Sequence, residues 1–400
     1  MNSKSIKSTC FALAGIVVFC AFVVRANAGE TGKIVPPLHT DGPSILDSRG
    51  TPARLVSVNW YGFDQGEYVA GGLDRVSLND IARKIHSMGF NSVRLPWANQ
   101  IVEENPYVPG YALNANPKLR GKRALEIMDE VIHALADEHV MVILDNHVSR
   151  SDWCCNDKDG NGLWYNREYP ESHWIEDWRT LVRRYKAQPY VVAADLRNEL
   201  RSSAQWGGND PALDWHAAAE RGGNAILDEN PNLLIMVEGV SYSLDFAGAT
   251  SLPVRLALPN RLVYSPHNYG WSQPVPQSYE EFKHYLDKNW GWLRTGDHAA
   301  PIWIGEIGVC QNPADCRQFG EWFPFLIRYL KETGDSWSYW ALNATQSSGS
   351  GRLYGNTETY GLLTTDYRGI AAPEVLKDLE QIGLYPETGG HAISPRSYGP

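Results

Sequence analysis

Two glutamates 107 positions apart, Glu199 and Glu306, stand at the ends of short runs of β-branched and aromatic residues. Glu199 follows Val191–Asn198, and Glu306 sits in Ile302–Ile307, which reads Ile-Trp-Ile-Gly-Glu-Ile. If both runs are strands of one sheet, their ends bring two carboxyls to the same rim. A protonated carboxyl can give its proton to a leaving oxygen while an ionised one attacks the carbon that the oxygen leaves, which is the equipment for splitting a glycosidic bond. Other run ends carry Asn59-Trp60, Arg94, Asp145-Asn146-His147, Asn198, Glu238, His267 with Tyr269, and Trp340. Chance does not usually place charged and imidazole groups at so many of them.

The positioning elements are legible as eight runs: Leu55–Trp60, Ser92–Pro96, Val140–Asn146, Val191–Asn198, Leu233–Glu238, Leu262–His267, Ile302–Ile307 and Trp337–Leu342. Several are apolar on successive positions rather than alternating, as in a parallel sheet covered on both faces. Helical patterns lie between them. Ser77 with Asp80 caps a segment through Met88; Leu125, Met128, Ile132 and Leu135 share one face; Ser172 precedes Trp174, Trp178, Leu181 and Tyr185. Asp210-Pro211 and Pro373 read as further helix starts. Strand and helix alternating over eight units predict an α/β chain folded as a single (β/α)₈ TIM barrel. Glu199 and Glu306 are then three units apart at about 36 residues per unit, near the ~31 of a ~250-residue barrel. That puts them on the fourth and seventh strands, facing each other across the C-terminal mouth where such barrels carry their sites. Leu38–Arg54, with its Asp47-Ser-Arg-Gly50 turn, predicts an N-terminal β-hairpin plugging the bottom.

Lys4 and Lys7, the apolar run Cys10 to Val24, and Ala26-Asn27-Ala28 form an export signal over residues 1–28, leaving a catalytic barrel at 29–385 and a disordered tail at 386–400. The apolar run is shorter than the ~20 residues of a spanning helix, so the mature chain is expected to be secreted, extracellular and free of the membrane. Loss of Lys4, Lys7 and Arg25 takes the net charge from −10 to −13, which disfavours nucleic acid and anionic lipid as partners. Four cysteines remain, and oxidation can pair them in three ways. The short loop between Cys310 and Cys316 favours that pair, with Cys154 and Cys155 either bonded to each other or free.

In order and spacing, Val-Arg94-Leu-Pro, Asp145-Asn-His147, Asn198-Glu199, His267-Asn-Tyr269, Ile-Trp-Ile-Gly-Glu306 and Trp340 together resemble glycoside hydrolase family 5 over nearly the whole mature chain. The resemblance implies a retaining mechanism with Glu199 as acid/base and Glu306 as nucleophile. Arg94 and the Tyr269 hydroxyl would hold Glu306 ionised, and Glu199 would need a raised pKa. Asn198 would meet the sugar 2-hydroxyl, His147 and His267 would orient hydroxyls and Glu199, and Trp340 would face the ring. Leu200 departs from the family, which usually has proline there. Glu238 matches none of the family's catalytic positions and reads either as structural or as a support behind the catalytic residues. Trp174, Trp178, Trp215 and Trp322 read as core; Trp60, Trp97, Trp164, Trp206 and Trp271 follow strand ends and are candidates for outer sugar sites.

The implied activity is an endo-β-1,4-glucanase acting on β-linked polysaccharide or oligosaccharide as a monomer, without a catalytic cofactor or metal. A β-mannanase, another β-glucanase, an exo-acting β-glucosidase or an inactive carbohydrate-binding barrel are the alternatives. Asp157, Asp159, Asn161 and Glu168, with Gly162, have the spacing of a calcium loop, so this stretch is either a structural Ca²⁺ site or a solvated polar turn. The sequon Asn343-Ala-Thr345 lies close enough to Trp340 that a glycan there would crowd the site.

Overall fold

The structure, a computed structural model, describes residues 34–385; the export segment and the tail lie outside the described residues. A short antiparallel hairpin, β1 (His39–Asp41) and β2 (Ser44–Leu46), comes first. The parallel strands follow: β3 (Val56–Asn59), β4 (Ser92–Ala98), β5 (Met141–Val148), β6 (Val191–Asp195), β7 (Leu234–Glu238), β8 (Leu262–Ser265), β9 (His267–Asn268), β10 (Trp303–Ile307) and β11 (Ser336–Tyr339). Their order is β8-β7-β6-β5-β4-β3-β11-β10-β9. Its two outer members are one run interrupted at Pro266, which has no N–H to give a ladder. The β9–β10 pairing and a parallel bridge from Tyr264 to Ile302 carry the sheet round, so eight runs close a (β/α)₈ barrel. Every residue of β5 and β10 is buried, as expected of strands covered on both faces.

The helices bury the faces that their spacing predicts. The Ser77 hydroxyl accepts the Asp80 N–H at 3.2 Å and caps Leu78–Ser87. Leu125, Met128, Ile132 and Leu135 line the inner face of Ala124–Asp137. Glu171–Tyr185 turns Trp174 and Trp178 inward, and Trp178 meets Trp97 edge to face at 4.9 Å. Ser172 falls inside that helix rather than capping it. Asp210-Pro211 does not open the next one: Asp214 caps Trp215–Glu229 by accepting the Ala217 N–H, and a bridge between Gln205 and Asp214 holds residues 210–213 as a turn.

The alternation fails in the fifth unit. After β7 the backbone is left-handed at Ser241, Tyr242 and Ser243 (φ 56°, 62° and 60°), and then forms one 3₁₀ turn, Ala247–Thr250. The hairpin also differs in register, for its tip is Gly42-Pro43. Asp47 makes a second reversal by accepting the N–H groups of Arg49 (2.9 Å) and Thr51 (3.0 Å). Leu38 and Ile45 pack on Met141, Ile143, Met236 and Trp303, so the hairpin does cover the barrel's bottom. Among the described residues no helix is long and apolar enough to cross a membrane.

The cysteines pair as Cys154–Cys155 and Cys310–Cys316. Peptide mapping without reduction is expected to recover those two bonds. Free thiols, or a bond between the two pairs, would contradict the arrangement.

Candidate active site

Arg94, on β4, lies fully buried on the barrel axis beneath the mouth. Its Nε donates to Asp195 (2.9 Å), one terminal nitrogen to Asn59 (3.1 Å) and Glu306 (2.7 Å), and the other to Asn198 (2.8 Å) and Glu238 (3.1 Å). Because the Asn198 carbonyl accepts from Arg94, its NH₂ must point into the cavity, where it meets the sulfurs of Cys154 and Cys155 at 3.7 and 3.5 Å. The second Glu306 oxygen accepts from the Tyr269 hydroxyl at 2.7 Å. Glu306 thus has both expected donors. Gly305 precedes it for a steric reason: a Cβ there would lie 2.6 Å from Ser265 Oγ and 2.9 Å from His267 Nε2.

Glu199 follows β6 with a left-handed backbone, φ 46°. Its N–H donates to Glu238 at 2.7 Å, and its carboxylate lies 3.1 Å from His267 Nδ1. Oxygens of Glu199 and Glu306 and a ring nitrogen of His267 all fall within 4.8 Å of one another. His147 bonds Asp145 at 2.7 Å and stacks on Trp340.

Burial opposes charge on His267, but the Glu238 and Glu306 carboxylates and the bond to Glu199 lift its pKa well above the usual imidazole value. His147 is raised likewise, Asp145 outweighing burial. Burial pushes Glu306 up, and His267 and Arg94 offset only part of that. Burial also acts most strongly on Glu199, yet the hydrogen bond and charge of His267, with Arg201 and His147, bring its pKa below the ordinary value. This reverses the order expected from the sequence. His267 Nδ1 lies 3.1 Å from Glu199, where it hydrogen-bonds, and 3.9 Å from Glu306, where only its charge acts. Two carboxyls this close titrate as one coupled pair.

A cavity of about 670 Å³ opens above the pair, lined among others by Trp153, Tyr242, Trp271, Trp340, Arg352 and Tyr360. Trp340 shows only 7% of its surface, because Tyr61 stacks on it at 5.2 Å and His147 at 5.5 Å. Of the five strand-end tryptophans proposed as sugar platforms, Trp271 alone lines this cavity; it is 54% exposed and stacks on Tyr269 at 4.3 Å. Trp60, Trp97 and Trp164 are fully buried, and Trp206 packs against Phe246 and Tyr264. Trp174, Trp178, Trp215 and Trp322 are core, as expected. The aromatics missed in sequence, Trp153, Tyr242 and Tyr360, come from loops without periodicity. Asn343 is buried and its amide is committed to the Tyr61 backbone (3.1 and 3.0 Å), so the folded chain does not offer it for glycosylation.

The calcium-like loop does not gather its oxygens around one point. Asp159 grips Arg201 with both oxygens (2.6 and 2.5 Å), Asp157 accepts from Tyr242 (2.8 Å), Asn161 accepts the Ser149 N–H (3.0 Å), and Glu168 pairs with Arg150. Arg201 also donates to the backbone carbonyls of Glu199 (2.6 Å) and Asn156 (3.1 Å). A guanidinium stands where the spacing suggested a metal, and it braces the Glu199 segment.

Two acids poised in this way, in an aromatic-lined cleft at the mouth of a (β/α)₈ barrel, place the protein among the glycoside hydrolases. Comparison gives the family: the pattern described as Cellulase (glycosyl hydrolase family 5) matches residues 46–346, and the chain belongs to that family. An endoglucanase of Paenibacillus polymyxa is 32% identical over 95% of this chain and 98% of its own. The major extracellular endoglucanase of Xanthomonas campestris pv. campestris is 32% identical over 77% of this chain and 66% of its own. A solved complex of an endocellulase from Pyrococcus horikoshii with cellotetraose superposes with a TM-score of 0.75 at 28% identity, covering 86% of this chain and 98% of that one.

The Arg201 brace is testable against the metal reading. Calcium or a chelator is expected to leave the melting temperature of the wild type unchanged, since a ligand stabilises only where it binds the folded state. Arg201→Ala, which leaves the half-buried Asp159 carboxylate with only the backbone N–H groups of Asn156 and Asn161, is expected to cost about 1–3 kcal/mol. A rise in melting temperature with calcium would restore the metal site.

Proposed function

We propose that the protein is a secreted, retaining endo-β-1,4-glucanase with Glu306 as nucleophile and Glu199 as acid/base. The carrying observation is the approach of the Glu199 and Glu306 oxygens within 4.8 Å across the cavity. Retaining enzymes hold their carboxyls about 5–5.5 Å apart, whereas inverting ones leave about 6.5–9.5 Å for a water. In the first step a Glu306 oxygen, oriented by Arg94 and Tyr269, forms a bond to the anomeric carbon. The glycosidic C–O bond breaks as the Glu199 proton passes to the leaving oxygen. In the second, Glu199 takes a proton from water, whose oxygen displaces Glu306 from the same carbon. The Asn198 NH₂, turned into the cavity by Arg94, donates to the sugar 2-hydroxyl, a bond that strengthens as the ring approaches an oxocarbenium ion. His147 and the edge of Trp340 complete the wall around that ring.

The substrate reading rests on the aromatic lining and on relatives that are named endoglucanases, one solved with cellotetraose. A β-1,4-glucan presents two apolar ring faces and equatorial hydroxyls, which suit Trp271, Trp153 and Tyr360. The axial 2-hydroxyl of mannan would meet Asn198 from another direction. Secretion rests on the charged, apolar and small-residue order of residues 1–28 and on the extracellular Xanthomonas relative.

The first sugar product is expected to keep the β configuration by NMR, and kcat/KM should be higher on soluble β-1,4-glucan or mixed-linkage glucan than on β-mannan, with a rapid fall in viscosity. Glu306→Ala should abolish turnover and regain it with azide as an α-glycosyl azide. Glu199→Ala should lose about 10²–10⁴-fold on glucan and less on activated aryl glycosides. An α-anomer as first product refutes retention; preference for mannan, or release of terminal sugars only, refutes the substrate.

A further inference from the structure

Glu238 is a buried carboxylate at the mouth whose contacts lead to both members of the catalytic pair. It ends β7, is fully buried and does not itself line the cavity, but it touches two residues that do, Glu199 and His267. One oxygen accepts from Arg94 at 3.1 Å and lies 3.2 Å from His267 Nε2; the other accepts the Glu199 backbone N–H at 2.7 Å. Arg94 in turn holds Glu306, and His267 holds Glu199. We propose that Glu238 is a positioning residue of the hydrolytic site, fixing Glu199 through its backbone and holding His267 as the cation that sets when Glu199 carries its proton. The inference rests on the assignment of Glu199 as acid/base and Glu306 as nucleophile.

Three features carry it beyond a buried ion pair. Glu199 adopts a left-handed backbone, which a non-glycine residue keeps only where its surroundings hold it, and the Glu238 oxygen on its N–H is such a hold. His267 faces carboxylates on both ring nitrogens, so it bridges Glu238 to Glu199 rather than serving either alone. The groups around Glu238 also leave it little else to do. Arg94 reaches it from β4, Asp145 from β5, Asp195 from β6 and His267 from β9, with oxygens of Asp145, Asp195 and Glu238 all within 4.8 Å of one another. Arg94 forms ion pairs with each of these acids, and His267 and the Glu199 N–H face Glu238 from the side of the reacting pair. Burial opposes the His267 charge, and Glu238 heads the groups that restore it.

The sign follows from the contacts. Removing the Glu238 charge lets His267 lose its proton at lower pH. Glu199 then loses its neighbouring cation and holds its own proton to higher pH. The basic limb of kcat/KM, which reports loss of the proton from the acid, moves upward. In Glu238→Gln the limb on soluble β-1,4-glucan is expected to rise by about one pH unit, the scale of an opposite charge gained or lost at this range. In that variant kcat is expected to fall more than KM rises. Glu238→Asp, which keeps the charge, is expected to leave the limb at the wild-type position. A folded Glu238→Gln with the wild-type limb, or with one displaced downward, overturns the inference. If that variant does not fold, ¹⁵N-histidine NMR of the wild type decides: both His267 nitrogens should be protonated at pH 7, and titration near the ordinary imidazole value of about 6.5 overturns it. Glu199→Ala and Glu306→Ala separate the two levels. Undiminished glucan turnover in either sinks the acid–nucleophile assignment and this inference with it, whereas inactivity in both with an unmoved Glu238→Gln limb sinks this inference alone.

Discussion

The site is organised around one buried cation. Stripping a guanidinium of water costs several kcal/mol even after relaxation, so Arg94 can stay fully buried only with all its N–H groups engaged. Its five hydrogen bonds reach Asn59 on β3, Asp195 on β6, Asn198 just beyond β6, Glu238 on β7 and Glu306 on β10, and Asp145 on β5 lies 3.1 Å away. These strand ends are held in one layer because they share a cation. The excess of carboxylates acts in two ways. The pKa values of His147 and His267 are raised by the carboxylates beside them, Asp145 for the one and Glu238 and Glu306 for the other. Asp195 is pushed well above the carboxylate range by burial and by the nearby Glu238, while at Asp145 the charges of Arg94 and His147 overcome burial and keep it low.

From this floor the two proposed catalytic carboxyls are supported differently. Glu306 stands on β10, paired in register with His267, and both of its oxygens are engaged. Glu199 stands beyond its strand and depends on braces: the Glu238 oxygen on its N–H and Arg201 on its carbonyl. The Leu200 carbonyl accepts the Tyr242 N–H at 2.9 Å, which ties the Glu199 loop to the left-handed segment that replaces the fifth helix. A proline carbonyl could make the same bond, so the leucine found here alters the buried side chain and not that tie.

What was legible in the sequence follows from what repeats. Strands covered on both faces are continuous apolar runs, and all eight were readable; their polar ends named Arg94, Asn198, Glu199, His267, Tyr269 and Glu306, which the fold brings together. Position after a strand does not say which way a side chain turns, which is why Trp60, Trp97 and Trp164 were candidates for the cleft and are core. Trp153, Tyr242 and Arg352 lie on loops whose shape is set by contacts distant in sequence, such as Arg352 over the Trp153 ring at 3.6 Å. The spacing of Asp157, Asp159, Asn161 and Glu168 was real, but spacing cannot reveal an arginine more than thirty positions away that occupies the carboxylate first. The order of the two glutamate pKa values was out of reach for a similar reason, since it depends on which of them His267 lies nearer.

The same contacts bear on what the cleft can accept. Charged side chains that face the cavity are already matched within the protein: Arg352 by Glu358, Asp157 by the Tyr242 hydroxyl, His147 by Asp145, and Glu199 by His267. Glu358 is further held by the Tyr61 hydroxyl at 2.6 Å, beneath the stacked Trp340. A charged polysaccharide would have to break such a pair or go unmatched in a partly desolvated site, which costs more than a surface contact returns. A neutral sugar chain brings apolar ring faces to Trp271, Trp153 and Tyr360 and hydroxyls to groups whose charge is already balanced. The buried Arg94 cation therefore constrains more than the two proposed catalytic carboxyls: it balances the charge of the floor beneath a cleft whose own charged groups are paired within the protein.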